Sequence, residues 1–261
     1  MFDINGMSAF PEVESHQKTL LGLLNSTVSH LSLKAINPSL AFQSGDIGRI
    51  PVQAFPDVAE LDLVVDACIK IARADWDNFE TSWDFRDQPL LRPGLKGATL
   101  EASWRNWEAQ STAAIRRMQE LETENNRLFI AAYSLDGELQ PEVPEEQITL
   151  ARADVRKDVA AFVSYAIGCM MGRYSLDQPG LILANAGSTV ADYLARIPTP
   201  TFAPDADGIL PVLDGEWFAD DVVSRLSDFL RTTFGKDTLA ENLAFIESAL
   251  GKEPRKYFAV H

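Results

Sequence analysis

At 261 residues the chain has room for one large domain or two small ones, and its 46% apolar content suffices for a real core. A net charge of −15 argues against a simple nucleic-acid binder, because duplex affinity is carried largely by Lys and Arg neutralising phosphates. There is neither a signal-peptide pattern over Met1–Leu20 nor an apolar run of membrane length, so the expected setting is cytoplasmic with no membrane.

In chain order, residues 1–15 read as an irregular lead-in, and Leu20–Leu33 is apolar enough for a buried helix. Residues Asn37–Val52 predict a loop followed by a short strand, Ile47–Val52. Asp57 opens the next helix, with Glu60 three residues on in a capping-box spacing. From there Leu61, Val65, Cys68, Ala72, Trp76, Phe79 and Trp83 form an apolar seam of some six turns. Pro93, Gly94 and Gly97 mark a loop before a second long helix, about Leu100 to Tyr133. One heptad row of that helix holds Trp107, Ala114, Leu121, Leu128 and Leu135; its companion holds Trp104, Ser111, Met118, Asn125 and Ala132. Such rows predict either a coiled-coil-like pairing with the Asp57 helix, Asn125 setting register, or two helices of an ordinary bundle.

Residues 134–146 are acidic and turn-rich, and Gln147–Leu150 predicts a short strand. A central buried helix follows. Val155, Val159, Phe162, Val163, Ala166 and Met170 share one face, and Ser164 is the only polar side chain from Ala161 to Met171. Asp154 is placed to cap its start, and Ser175, Asp177, Pro179 and Gly180 bring the chain to a stop. Leu181–Ala184 and Ile209–Val212 are further strand candidates, separated by a long irregular stretch, Ser188–Asp207, with three prolines. Two amphipathic helices close the chain, one on Val222, Leu226, Phe229 or Leu230, and Phe234, the other on Leu239, Leu243, Ile246 and Leu250. The second begins at a Thr238–Glu241 capping box, and the end, Lys252–His261, is basic and aromatic. Cys68 and Cys169 fall at apolar helical positions, so buried free thiols are expected, with a bridge between them as the alternative. The predicted class is mostly α with short strands (α+β): long paired helices, a buried central helix spanning 154–174, and a small β/loop element near the N-terminus. The predicted division is 1–56, 57–135 and 136–261.

Catalytic signatures are scarce. His16, His30 and His261 have no Cys or acidic partners at ligand spacing, so no metal site is expected. No P-loop or nucleophile elbow occurs. The acid pairs Asp220–Asp221 and Glu145–Glu146 sit at helix starts, where negative charge suits the macrodipole.

The phrases ENNRLFIAAY (124–133), VPEEQITL (143–150) and FVSYAIGCMMGRYSLDQPGLI (162–182) resemble the adenine-specific DNA methyltransferases of BREX phage-defence systems, the PglX family. The resemblance covers most of the chain but falls outside that family's catalytic domain. LLGLLNS (20–26) with NPSLAFQSGDIGRIPV (37–52) is similar to the closing part of a target-recognition domain in such enzymes; an unremarkable helix-loop-strand is the alternative. Adenine methylation needs a glycine-rich loop for S-adenosylmethionine and an Asn/Asp-Pro-Pro-aromatic motif that holds the flipped base. Asn37-Pro38-Ser39-Leu40 lacks the second proline and the aromatic, so no catalytic residue and no cofactor are assigned to this chain. S-adenosylmethionine is implied only for the complete family enzyme.

The resemblance implies weak DNA binding by this chain alone, with a methyltransferase domain or other BREX proteins as partners. Gln43, Ser44 and Arg49 sit in the recognition-like loop, with side chains able to read base edges. Arg116, Arg117, Arg152, Arg156 and Lys157 are candidate phosphate contacts, or ordinary surface charges. A protein-interaction scaffold for defence subunits is the alternative function, which the acidity favours.

Overall fold

The computed structural model describes residues 11, 13, 16–39, 42–53, 58–213, 215, 218 and 220–259. Asp57 of the proposed capping box, Leu40 of the Asn37 motif, His261 and almost all of the lead-in lie outside the described residues. The chain forms two compact units, Met1–Ala74 with Ala113–Leu150, and Asp75–Thr112 with Ala151–His261.

In the first unit the expected Leu20–Leu33 helix is two helices, α1 (Gln17–Leu24) and α2 (Thr27–Ile36). Ser26 makes the break: its hydroxyl accepts the Ser29 N–H (3.3 Å) as N-cap of α2, a local bond that competes with helix continuation. The predicted Ile47–Val52 strand is absent. A single turn, α3 (Ser44–Ile47), takes its place, and residues 51–53 run on without a ladder partner. Then come α4 (Val58–Trp76) and the long α5 (Leu100–Ala132). Leu61, Val64 and Val65 of α4 share a core with Leu121, Leu128, Phe129 and Ile130 of α5, and with Leu23, Val28 and Ile50. Glu60 pairs with Arg127 at 3.8 Å, while Cys68 and Ile71 cluster with Ile115 and Met118, so the two helices run antiparallel.

This is three-helix packing, with α1 laid against the seam. A Cβ on Gly22 would come within 2.8 Å of Asn125 Oδ1, 3.1 Å of Phe129 and 3.2 Å of Val65, so α1 lies closer to both long helices than a side chain would allow without a shift of Asn125. Asn125 accordingly donates to the Gly22 carbonyl (3.0 Å). The apolar seam of α4 stops early. The helix ends at Trp76, which is largely exposed, and Trp83 is fully exposed because the chain has already left the helical register in turns.

In the second unit, α6 (Val155–Met170) is the central buried helix. Asp154 caps it, accepting the Arg156 and Lys157 N–H groups at 3.0 Å each. Every residue of its predicted face except half-buried Val155 is fully buried. It ends at Met170, before the expected stop signals, because Gly172 adopts φ 73° and the Arg173 N–H returns to the Gly168 carbonyl (2.7 Å). The reversal folds Tyr174 back onto α6, where its ring stacks on Tyr165 (5.0 Å) and meets Phe85 edge-on (5.5 Å). Gly168 makes room for this, since a Cβ there would stand 2.5 Å from the Tyr174 ring.

The stretch expected to be irregular contains α7 (Val190–Arg196), begun by Thr189, which donates through both its amide and its hydroxyl to Asp192 (2.8 Å). The last helices are α8 (Val222–Phe234), α9 (Leu239–Leu250) and α10 (Pro254–Phe258). Helices α8 and α9 pack on α6, with Phe229 edge-on to Phe162 (5.8 Å). The Thr238–Glu241 capping box does not form; the Thr238 hydroxyl donates instead to Phe234 O (3.0 Å) as a 3₁₀ turn leads into α9. Among the described residues there is no strand, only an isolated bridge between Asp136 and Leu139, so the small β element is not found. Gln147 lies in a 3₁₀ turn, and Ile148, Leu150 and Ile182 are buried outside any strand. Periodicity alone could not separate such short apolar runs from strands. The fold is mostly helical.

Candidate nucleic-acid interface

The Gln43–Arg49 turn is held from several sides by residues of the first unit. Asn37 donates through Nδ2 to Asp46 (2.9 Å), and its Oδ1 accepts the Ser39 N–H (3.0 Å). The Gln43 backbone N–H also donates to Asp46 (2.9 Å). These two bonds, with Arg49 nearby, hold the Asp46 carboxyl below the ordinary range. Ile50 is buried in the core and Ile47 packs against it. Downstream, the Tyr133 hydroxyl donates to the Pro51 carbonyl and accepts the Gln53 N–H (3.3 Å). The resulting turn is anchored below, while Gln43, Ser44 and Arg49 all stand exposed on it. Asn37 is spent on holding Asp46, a structural duty that accounts for an Asn-Pro pair without its catalytic continuation.

The phrase 124–133 is what supports this turn. Asn125 binds α1 at Gly22, and Asn126 accepts the Thr27 N–H (3.0 Å) at the start of α2 while donating to Pro141 O (3.0 Å). Phe129 fills the core beneath Gly22, and Tyr133 clamps Pro51. The second phrase, 143–150, lies along α5. Gln119 donates to Val143 O (2.7 Å), and Ile148 and Leu150 cluster with Ile115 and Met118.

The other predicted cations occupy different settings. Arg116 and Arg117 are exposed on α5, and Arg117 pairs with Glu120 (2.8 Å), which offsets its charge. Arg152, Arg156 and Lys157 are exposed in the second unit, the last two on the first turn of α6. The structure thus brings Gln43, Ser44 and Arg49 onto one turn, leaves Arg116 and Arg117 as neighbours on α5, and puts the remaining three in the other unit.

Basic residues of the C-terminal segment have an internal role. Arg255 forms a bidentate pair with Asp221 (2.7 and 2.9 Å) and donates to Leu213 O (2.8 Å). Asp221 is 1% exposed and also caps α8 through the Val223 N–H (3.0 Å). Burial pushes its carboxyl up, but the Arg255 guanidinium and the helix amides outweigh that and hold it low. Asp205, Asp207 and Asp220 place carboxylate oxygens within 4.8 Å of one another, yet Asp205 is committed to closing its own turn on the Asp207 and Gly208 N–H groups (3.1 and 3.0 Å). Both cysteines are free, and burial pushes the Cys169 thiol up to about 12 and the Cys68 thiol up to about 11, away from nucleophilic use at neutral pH.

No protein-family model matches the chain. It is 36% identical over 259 residues to the adenine-specific methyltransferase PglX of Lacticaseibacillus casei (strain Zhang), a match that covers 97% of the chain. It is 33% identical over 268 residues to the adenine-specific methyltransferase BrxX of Escherichia coli O9:H4 (strain HS), covering 96% of the chain. These matches occupy 21% and 22% of the two relatives, so the chain spans about a fifth of their length. The resemblance read from the phrases at 124–133, 143–150 and 162–182 therefore holds along almost the whole chain.

Proposed function

We propose that this chain, a segment of the PglX family of adenine-specific methyltransferases, supplies DNA-recognition surface to such an enzyme while other residues of the protein carry out methyl transfer. The observation that carries the reading is the anchored turn of the first unit. Asn37, Asp46, Ile50 and Tyr133 fix its backbone, and Gln43, Ser44 and Arg49 are exposed on it, offering an amide, a hydroxyl and a guanidinium. A rigid turn with few polar groups suits base-edge readout, because a pre-positioned side chain gives up little entropy on binding. Affinity is another matter. With a charge of −15, and with Asp46 beside Arg49, the chain has little to offer phosphates, so the grip on DNA comes from the rest of the enzyme, as does the use of S-adenosylmethionine.

Titrating a labelled duplex at about 50 and 200 mM salt tests this, with the chain alone and with the methyltransferase domain supplied. The chain alone is expected to bind at roughly 10⁻⁴–10⁻⁶ M, the nonspecific range, and more tightly once the domain is present. Gln43→Ala relaxes sequence preference with little change in salt slope, whereas Arg116→Ala lowers the slope where that residue meets phosphate. If the reconstituted protein binds no better than the chain and Gln43→Ala changes nothing, the recognition reading fails.

A second reading has its own observation. Trp83 is fully exposed and Trp76 largely so, and exposed tryptophans on an acidic chain suit a protein-interaction scaffold for other defence subunits. Pull-down of a subunit that is lost in Trp83→Ala, with DNA binding absent, would establish that reading in place of the first.

A further inference from the structure

The first unit has a mainly apolar pocket that is open to solvent on one side. A cavity of about 230 Å³ opens where α1, α4 and α5 converge, lined by one face of each helix together with Thr149. Val65 and Ile69 of α4, Met118 of α5 and Leu21 of α1 make its walls mainly apolar. An apolar cavity of ~150 Å³ is large enough to take benzene, so this one has room for a ring and a short chain.

Two polar groups on α5 break the apolar lining: a half-buried carboxylate, Glu122, with no protein donor among the described residues, and a buried amide oxygen, Asn125 Oδ1. Glu122 is half-buried, and its carboxylate takes part in no hydrogen bond or ion pair. Burial alone pushes its acidity toward the neutral form, with no cation compensating. One turn along the same face, Asn125 spends its Nδ2 on the Gly22 carbonyl, and its Oδ1 is a buried acceptor without a donor. Natural interiors leave few groups like Asn125 Oδ1 unpaired, and the Glu122 carboxylate at the same pocket lacks the same thing, a protein N–H donor. The carboxylate adds a demand for positive charge.

We propose that this cavity binds a small amine whose apolar body fills the space between Val65, Ile69 and Met118 and whose ammonium group pairs with Glu122. The ligand class is an aryl-alkyl or alkyl amine of roughly the volume of a substituted benzene. An anion would face the Glu122 carboxylate, and a purely apolar molecule would leave that carboxylate unpaired against hydrocarbon. The site is made wholly within the first unit and is separate from the Gln43–Arg49 turn, so its occupancy is independent of the recognition reading.

The test uses phenethylamine and its neutral isostere 2-phenylethanol, followed by calorimetry on the whole chain. The hydroxyl can also donate to the carboxylate, so the two ligands differ by the ion pair, and the amine should bind about 10-fold more tightly than the alcohol. Glu122→Gln should erase that preference; as it replaces an unpaired carboxylate with a neutral amide, the fold should persist, checked by near-UV circular dichroism. Equal binding of amine and alcohol by the unmodified chain overturns the proposal, and so does binding of neither. Amine binding that survives Glu122→Gln overturns it as well.

Discussion

The two units solve the problem of a long helix with polar interruptions in opposite ways. Around α6 the second unit is filled with rings, although a pocket of about 390 Å³ opens at its edge beside Asp87, Arg92, Ser175 and Thr201. Tyr165, Tyr174 and Phe85 interlock in one cluster on α6 and Phe162, Phe229 and Phe202 in a second, with ring centroids 5.0–6.1 Å apart. The first unit holds three helices together through asparagine side chains at backbone groups, and it leaves a cavity beside them. Aromatic packing gives a core that cannot shift without losing area, whereas amide bridges fix a position without filling the volume. The difference leaves the core of the second unit densely ringed and puts a mainly apolar pocket beside that of the first.

The largest expected effect lies at the edge of the filled unit. Arg255→Ala leaves Asp221, 1% exposed, without its ionic partner, and should cost about 3–5 kcal/mol in denaturant unfolding. A small loss would mean that the helix cap alone satisfies Asp221. In the first unit Leu121→Ala should cost about 2–5 kcal/mol, because Leu121 is buried in the shared core of α4 and α5. A cost at the low end of that range would fit a unit that can collapse into its cavity.

The contrast sharpens with a matched glycine pair. Gly168→Ala drives a methyl group to within 2.5 Å of a Tyr174 ring that is locked between Tyr165 and Phe85, and should cost about 1–3 kcal/mol. Gly22→Ala meets Asn125 Oδ1 at 2.8 Å, but that amide borders open space and can yield. With a gain in helix propensity of about 0.8–1.0 kcal/mol, Gly22→Ala should be the milder change. Thermal unfolding of the two variants side by side checks the order, and a larger loss at Gly22 would mean that Asn125 cannot yield into the adjoining pocket.

Much of the helical content was legible because long periodic segments carry their own evidence. The face of α6, both heptad rows of α5 and the apolar rows of α8 and α9 follow from spacing alone. Short runs were the weak point. Ile47–Val52, Leu181–Ala184 and Ile209–Val212 read as strands, yet their apolar residues serve single contacts from turns, which alternation cannot distinguish from pairing. The α1–α2 break was visible in Ser26, a good N-cap, and was masked by the apolar letters around it. The exposed trio Gln43, Ser44 and Arg49 came from resemblance, whereas the support beneath it was present in the phrase 124–133 as two asparagines and a tyrosine at buried helical spacing. Glu122 carried no signal, since an acidic residue on a helix ordinarily faces solvent, and only the convergence of three helices gives it significance. The role of Arg255 depended on a contact 34 residues away in sequence.

On the proposed reading, the Gln43–Arg49 turn helps to choose the DNA sequence that an enzyme of the PglX family modifies. The most direct measurement maps methylated adenines in DNA treated with the complete enzyme carrying Gln43→Ala together with Arg49→Ala, against the unsubstituted enzyme. The account predicts that methylation spreads to sequences differing at one or two positions from the original site, each lost bidentate contact relaxing discrimination by about 1–3 kcal/mol. An unchanged set of methylated sequences at undiminished activity would contradict it.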